Sequence, residues 1–180
     1  MIRGNDRAGA LALSIRPEQP EDTGAVRKVH RAAFGRGDKA RLVDQLRARG
    51  KALVSLVAEV DGKVVGHILF SPVSIEGNTA FRGAGMAPLP VLPAFQRRGV
   101  GTRLTQAGLA ACRAAGLPFV VVLGEPDFYR RLEFQKASAR GLRNDYGVDD
   151  PFMVLELRSA SLPQGGGLVE YAPEFAEVEV

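Results

Sequence analysis

The chain has 180 residues, 46% hydrophobic and 24% charged, a balance that suits one globular domain with a substantial core and excludes general disorder. Its formal charge of +4 is a mild basic excess, and no basic run exceeds a pair, as at Arg97-Arg98 and Arg130-Arg131. That excludes the dense basic stripe of a nucleic-acid binder but suits an anionic ligand.

Residues 1–12 read as a loose leader without the apolar stretch of a signal peptide. No apolar run approaches the ~20 residues that span a bilayer, so no membrane partner is expected and the expected location is the cytoplasm. Residues 11–15 read as a short strand. Glu21-Asp22 then opens a helix with acidic residues where the helix dipole favours them, and Val26, Val29, Ala33 and Phe34 form its apolar stripe. A second helix is expected over 39–49, ended by Gly50. Residues 53–60 and 63–75 are rich in Val, Ile, Leu and Phe. Asp61-Gly62 between them is a hairpin signal, because tight hairpins need positive φ at the turn.

A further strand is expected over 85–92, stopped by Pro93. Residues 99–115 have helical spacing, with Val100, Leu104, Ala107, Ala111 and Ala115 on one face and Gly116 closing the helix. The unbroken apolar run Phe119-Val120-Val121-Val122-Leu123 reads as a strand buried on both faces. A short helix over 128–132 and a late strand over 152–157 follow. Residues 161–167 read as a Gly-rich linker into a short acidic tail. The order β-α-α-β-β-β-α-β-α-β predicts an α/β (α+β) fold: one domain with a mixed, largely antiparallel twisted sheet flanked by helices. The expected limits are a domain over 13–158 and a C-terminal extension over 159–180.

The chemistry concentrates where the strand at 85–92 meets the next helix, in Gln96-Arg97-Arg98-Gly99-Val100-Gly101-Thr102. The first turn of a helix carries N–H groups without internal partners at the positive end of its dipole. Gly99 and Gly101 let a diphosphate approach the backbone, and Arg97 and Arg98 add charge beside it. A P-loop would need Gly-x-x-x-x-Gly-Lys, which is absent; a dinucleotide fingerprint would need glycine where Leu104 stands.

This Gln-x-x-Gly-x-Gly loop resembles the acetyl-CoA pyrophosphate loop of the GNAT superfamily of N-acetyltransferases. Asp127-Phe128-Tyr129-Arg130-Arg131-Leu132-Glu133-Phe134 resembles the family's Phe-Tyr-x-x-x-Gly-Phe signature, with Glu133 in place of the usual glycine. Gly66-His67-Ile68, Phe70-Ser71-Pro72-Val73, Pro88-Leu89-Pro90-Val91-Leu92-Pro93 and Val122-Leu123-Gly124 look like the YhbS-like group of acetyltransferases. Gly167, Tyr171 and Phe175 echo a Gly, Tyr and Phe near that group's C-terminus. The Asn that many family members carry after the fifth strand is replaced by Gly124-Glu125-Pro126-Asp127, so no contact that depends on it carries over.

The resemblance implies an acyltransferase with acetyl-CoA as cosubstrate and no metal. An acetyl group would move to a primary amine of a small molecule or protein by direct attack in a ternary complex. Cofactor contacts are expected at Leu89, Val91, Gln96, Arg97, Arg98, Gly99, Val100, Gly101, Thr102 and Phe128. An N–H of the 89–91 strand, Val91 for preference because Pro90 has none, would polarise the acetyl carbonyl. Tyr129 is the expected general acid. His67 and Glu59 are the candidates for general base, ahead of His30, and a water chain is the alternative. The single Cys112 reads as a small buried hydrophobe rather than a nucleophile. With one cysteine and two histidines, neither an intrachain disulfide nor a Cys- or His-rich metal site is expected. Residues 144–147 with Asp149 and Asp150 read as a solvated loop, or as an acceptor wall that attracts a cationic amine. The amine acceptor itself carries no motif, and monomer and homodimer both stay open. A different class of function, a catalytically idle domain that binds acyl-CoA as a sensor, predicts binding without turnover. A nucleotide-phosphate binder unrelated to CoA predicts ATP binding instead.

Overall fold

The computed structural model of the protein describes residues 12–178, so the leader expected over 1–12 lies, residue 12 apart, outside the described residues. Strand β1 (Leu13–Pro17) leads through a 3-10 turn at Pro20–Asp22 into α1 (Thr23–Phe34) and α2 (Asp38–Ala48). Then come β2 (Val54–Val60), β3 (Lys63–Ile75), β4 (Asn78–Met86) and α3 (Val100–Ala114). The chain continues through β5 (Phe119–Leu123), α4 (Pro126–Arg130), β6 (Gln135–Lys136), β7 (Leu142–Asn144), β8 (Phe152–Glu156) and β9 (Gly167–Tyr171). One mixed sheet runs β1-β2-β3-β4-β5-β8-β6, with β9 joined to β3 and β7. Its pairings are antiparallel except β4 with β5 and β7 with β9.

The hairpin between β2 and β3 forms as its Asp-Gly signal requires, with φ of 49° at Asp61 and 74° at Gly62. Alternation along β3 then divides the core. Ile68 and Phe70 pack with Leu104 and Cys112 of α3. Leu69 points the other way and packs with Leu42, Val43 and Leu46 of α2. Among the described residues no helix is long and apolar enough to cross a membrane.

Strands β6 and β7 were not expected, and two further segments depart from expectation. The strand placed at 85–92 is β4, and it runs from 78 to 86 instead. Its start was hidden by Gly77 and Asn78, which read as turn residues. Beyond Met86, Pro88 and Pro90 lack N–H donors and cannot continue a regular ladder. Residues 87–92 nonetheless stay bonded to β3: the Ala87 N–H donates to the Leu69 carbonyl, and the Leu92 N–H to that of Val65. The second departure is the expected acidic tail. Residues 167–171 form β9, which takes the edge of β3 beyond the reach of β2, with Val73 opposite Tyr171. A 3-10 turn at Pro173–Glu177 then lays Phe175 against α2. The alternation of Val169-Glu170-Tyr171 is the signal for this strand, and the glycines before it obscured that signal.

Candidate active site

The parallel pairing of β4 with β5 spans only Ala84↔Val120 and Gly85↔Val121. Past that point the chain at 87–92 stays on β3 and the two strands part. The carbonyls of Pro88 and Pro90 and the N–H of Leu92 bond to β3. By the alternation of extended chain, the backbone groups of Leu89 and Val91 face the opposite way, into the gap. A cavity of about 430 Å³ fills this gap. At one end Leu89, Val91, Gln96, Gly101, Phe128 and Tyr129 line it.

The loop from Pro93 to Gly99 delivers the start of α3 to this end. Arg97 (φ 58°) and Gly99 (φ 82°) both take left-handed backbone, which turns the chain sharply into the helix. Gly99 is the N-cap and offers no side chain, so the first N–H groups of α3 have no protein cap. No acidic residue stands in that first turn. Val100 is buried and contributes only its backbone, Thr102 is half-buried, and Arg97 and Arg98 are exposed. The Arg98 guanidinium lies 5.8 Å from the centre of the Phe95 ring. Gln96 does something the sequence did not show: its Nε2 donates to the Val91 carbonyl at 2.9 Å. Its side chain thereby braces the loop on the strand.

Tyr129 comes from α4, which Pro126 opens. Its ring meets Phe128 edge-on at 4.8 Å and Phe134 at 5.5 Å. Gly124 makes its position possible, since a Cβ there would stand 2.4 Å from the Tyr129 ring. Burial pushes the phenol up to about 12, so it holds its proton at neutral pH. The turn that follows survives the replacement of glycine by Glu133, which adopts φ 70°, a conformation glycine takes at lower cost.

Neither proposed base lines the cavity. Glu59 is held by Arg16, 2.9 Å away, on the β1–β2 pair. His67 is fully buried on the α1–α2 side of β3, with both ring nitrogens engaged. A base must reach the proton it removes, so neither is carried into the mechanism. His67 belongs instead to a buried polar chain. One placement of protons satisfies it: His30 Nε2–H donates to His67 Nδ1 (3.0 Å) and His67 Nε2–H to Ser55 Oγ (2.8 Å). Ser55 in turn donates to Glu18, which also accepts from Arg47. His30 Nδ1 is left buried without a partner.

This chain makes stability depend on pH. Burial, helped by the neighbouring charges of His67 and Arg47, holds His30 down to about 3. Burial also lowers His67, against the pull of Glu18. Burial would raise Glu18, but hydrogen bonds from His67 and Ser55 and the Arg47 charge override it and hold the carboxyl at about 2. Below pH ~6.5 the unfolded histidines take up protons that the folded ones refuse, so stability falls with pH. His30 alone accounts for about 2 kcal/mol lost between pH 7 and pH 5. The Glu18 contribution is present above pH ~4.3 and is lost as pH falls towards 2. Urea unfolding at pH 7 and pH 5 measures the first loss, and equal stabilities would contradict it.

The remaining candidates sort plainly. Cys112 is buried and burial pushes its thiol up to about 12, which fits a core residue. Arg130 is exposed and pairs with Asp127 at 3.0 Å. Asp149 and Asp150 pair with Lys136 on the surface, at 2.6 and 2.8 Å. Tyr146 from the same loop does line the cavity, as do Lys39 and Glu125, which the sequence reading passed over. Among the described residues no cluster of His, Cys, Asp and Glu could hold a metal ion.

The acetyltransferase (GNAT) domain model matches residues 14–137. The uncharacterized N-acetyltransferase YhbS of Escherichia coli strain K12 is 36% identical over 165 residues, covering 91% of this chain and 98% of its own. The crystal structure of Escherichia coli YhbS in complex with CoA superposes with a TM-score of 0.87 at 35% identity, over 93% of this chain and 94% of that one. A GNAT family acetyltransferase from Brucella melitensis, solved with acetyl-CoA, gives a TM-score of 0.76 at 38% identity over 91% and 97% of the two chains. The parted strands, the uncapped helix start and the Phe-Tyr helix thus sit on the fold that these matches share, and the chain belongs to the GNAT family of acetyltransferases.

Proposed function

We propose that this protein transfers the acetyl group of acetyl-CoA to an amine by direct attack within a ternary complex. The observation that carries the reading is the gap between β4 and β5. There an uncapped helix start, two inward-facing backbone edges and a buried tyrosine meet around one cavity. The relatives solved with CoA and acetyl-CoA have the same fold. The N–H groups of Val100, Gly101 and Thr102 would take the pyrophosphate, with Arg97 and Arg98 supplying charge from solvent. Leu89, Val91 and Phe128 would flank the pantetheine arm. Gln96 serves this site by fixing the loop.

Acetyl-CoA supplies the acetyl group already activated as a thioester. The amine forms the new C–N bond, the C–S bond breaks, and the negative charge passes through the carbonyl oxygen to the sulfur. An N–H of the 89–91 strand, Val91 for preference, would stabilise the oxygen, an effect worth ~3–4 kcal/mol for a good donor. Tyr129 would meet the sulfur. Its phenol stands at about 12. A free thiol ionises near 8.5, so complete transfer of the proton is uphill by roughly 5 kcal/mol. Donating a hydrogen bond as the sulfur gains charge carries no such cost, and solvent can complete the protonation. The amine's own proton would leave through water. We place this activity in the cytoplasm.

The test follows free CoA thiol released from acetyl-CoA by the purified protein as amines are added. Release that depends on the amine, with the acetylated product seen by mass spectrometry, is the expected result. Binding of acetyl-CoA without release for any amine would make the protein a sensor rather than an enzyme.

A further inference from the structure

The far end of the cavity has a chemistry of its own. Phe34 at the end of α1, Leu42 of α2, Tyr146, Tyr171 and Phe175 wall it. Tyr171 is the centre of this wall, with Tyr146 at 5.8 Å and Phe175 at 5.5 Å between ring centres. All three tyrosines of the chain line the one cavity. Into this apolar end projects one cation. Lys39 is half-buried, lines the cavity and holds its Nζ 4.4 Å from the centre of the Phe34 ring.

The nearby carboxylates are spent elsewhere. Asp38 pairs with Arg36, Asp44 with Arg27 and Arg47, and Glu174 with Lys51 at 2.8 and 2.9 Å. Among the described residues the Lys39 ammonium has no carboxylate partner; only the residue's backbone N–H bonds Asp38. The one carboxylate among the described residues of the cavity wall, Glu125, is exposed on the loop between β5 and α4. A half-buried ammonium among rings favours an anion and repels a second cation. A substrate whose only charge is an ammonium, or one with several, gains nothing at this end.

We infer that the acceptor is a small amine on an aromatic or branched apolar body that also carries a carboxylate, with the body against Phe34, Tyr146 and Tyr171 and the carboxylate on Lys39. This inference rests on the acetyltransferase reading above and narrows it. The amine nitrogen takes the acetyl carbon, the sulfur leaves as the thiol, and the product is an N-acetylated acid. The cavity volume of about 430 Å³ is that of a small-molecule site.

The test compares phenylalanine with phenylalaninamide and phenethylamine, which lack the carboxylate, and with spermidine, which is only cationic. Thiol release gives kcat/KM for each, and calorimetry on the protein saturated with CoA gives their binding. Phenylalanine is expected to exceed its amide by tenfold or more in one readout or both. That ratio should fall towards one in Lys39→Met and recover in Lys39→Arg, which restores the cation. A preference for the amide, phenethylamine or spermidine would overturn the inference, and so would an acid preference that survives in Lys39→Met. If acetyl-CoA binds but no probe binds or reacts, the acceptor inference fails and the cofactor reading stands. If acetyl-CoA itself does not bind, the underlying reading fails as well.

Discussion

Replacing Gly101 with Asp is expected to abolish acetyl-CoA binding at working concentrations without weakening the fold. The two effects separate because the same helix terminus governs both. A Cβ at Gly101 would meet only ordinary contacts, 3.8 Å from Phe128 and 3.9 Å from Leu89, so the substitution fits. Gly101 does not occupy left-handed backbone, so no conformational strain is added. A carboxylate in the first turn of α3, which has no acidic residue there, interacts favourably with the helix dipole. The melting temperature should therefore hold or rise. For a diphosphate the same carboxylate is a like charge at its binding site, and such juxtapositions cost several kcal/mol. The dissociation constant should rise by ~100-fold or more, which corresponds to about 2.7 kcal/mol. An unchanged affinity would mean that the phosphate sits elsewhere.

Tyr129→Phe is expected to lower kcat by ~100-fold, the low end of what positioned proton donors contribute, and to leave acetyl-CoA affinity little changed. The ring stays between Phe128 and Phe134, where packing rather than the hydroxyl holds it. The loss should fall on kcat because the sulfur gains charge only as the C–S bond breaks. Since burial holds the phenol at about 12, the wild-type rate should show no limb from Tyr129 near neutral pH. An unchanged kcat would remove Tyr129 from the chemistry. A loss confined to acetyl-CoA affinity would make it a packing residue of the cofactor site.

What the sequence disclosed depended on whether a local rule governed the feature. The Asp61-Gly62 turn, the apolar run at 119–123 and the helix after Gly99 each follow from backbone preference or periodicity, and each forms within a residue or two of expectation. The loop glycines and Tyr129 were legible through a family pattern, and the structure brings Gly101 and Tyr129 to one cavity. The bases were not legible. His67 looked available beside Gly66, but alternation turns it away from α3 and into the chain with His30, Ser55 and Glu18, residues far from it in sequence. Lys39 and Glu125 reach the cavity only because the start of α2 and the loop between β5 and α4 converge there, and no spacing encodes that; Tyr146 comes from the loop that the sequence offered as an acceptor wall. β9 was missed because the glycines before it obscured its pattern, and its place in the sheet was hidden because its partner, Val73 on β3, lies about a hundred residues earlier.

The most direct test of the cofactor site at the start of α3 is the wild-type titration against which Gly101→Asp is compared. Calorimetry with acetyl-CoA, and with ATP at the same concentrations, asks whether this helix start and the parted strands accept a pantetheine-bearing diphosphate. One-to-one micromolar binding of acetyl-CoA, with none of ATP, is the predicted result. No heat from acetyl-CoA at millimolar concentration, or equal binding of ATP, would contradict it.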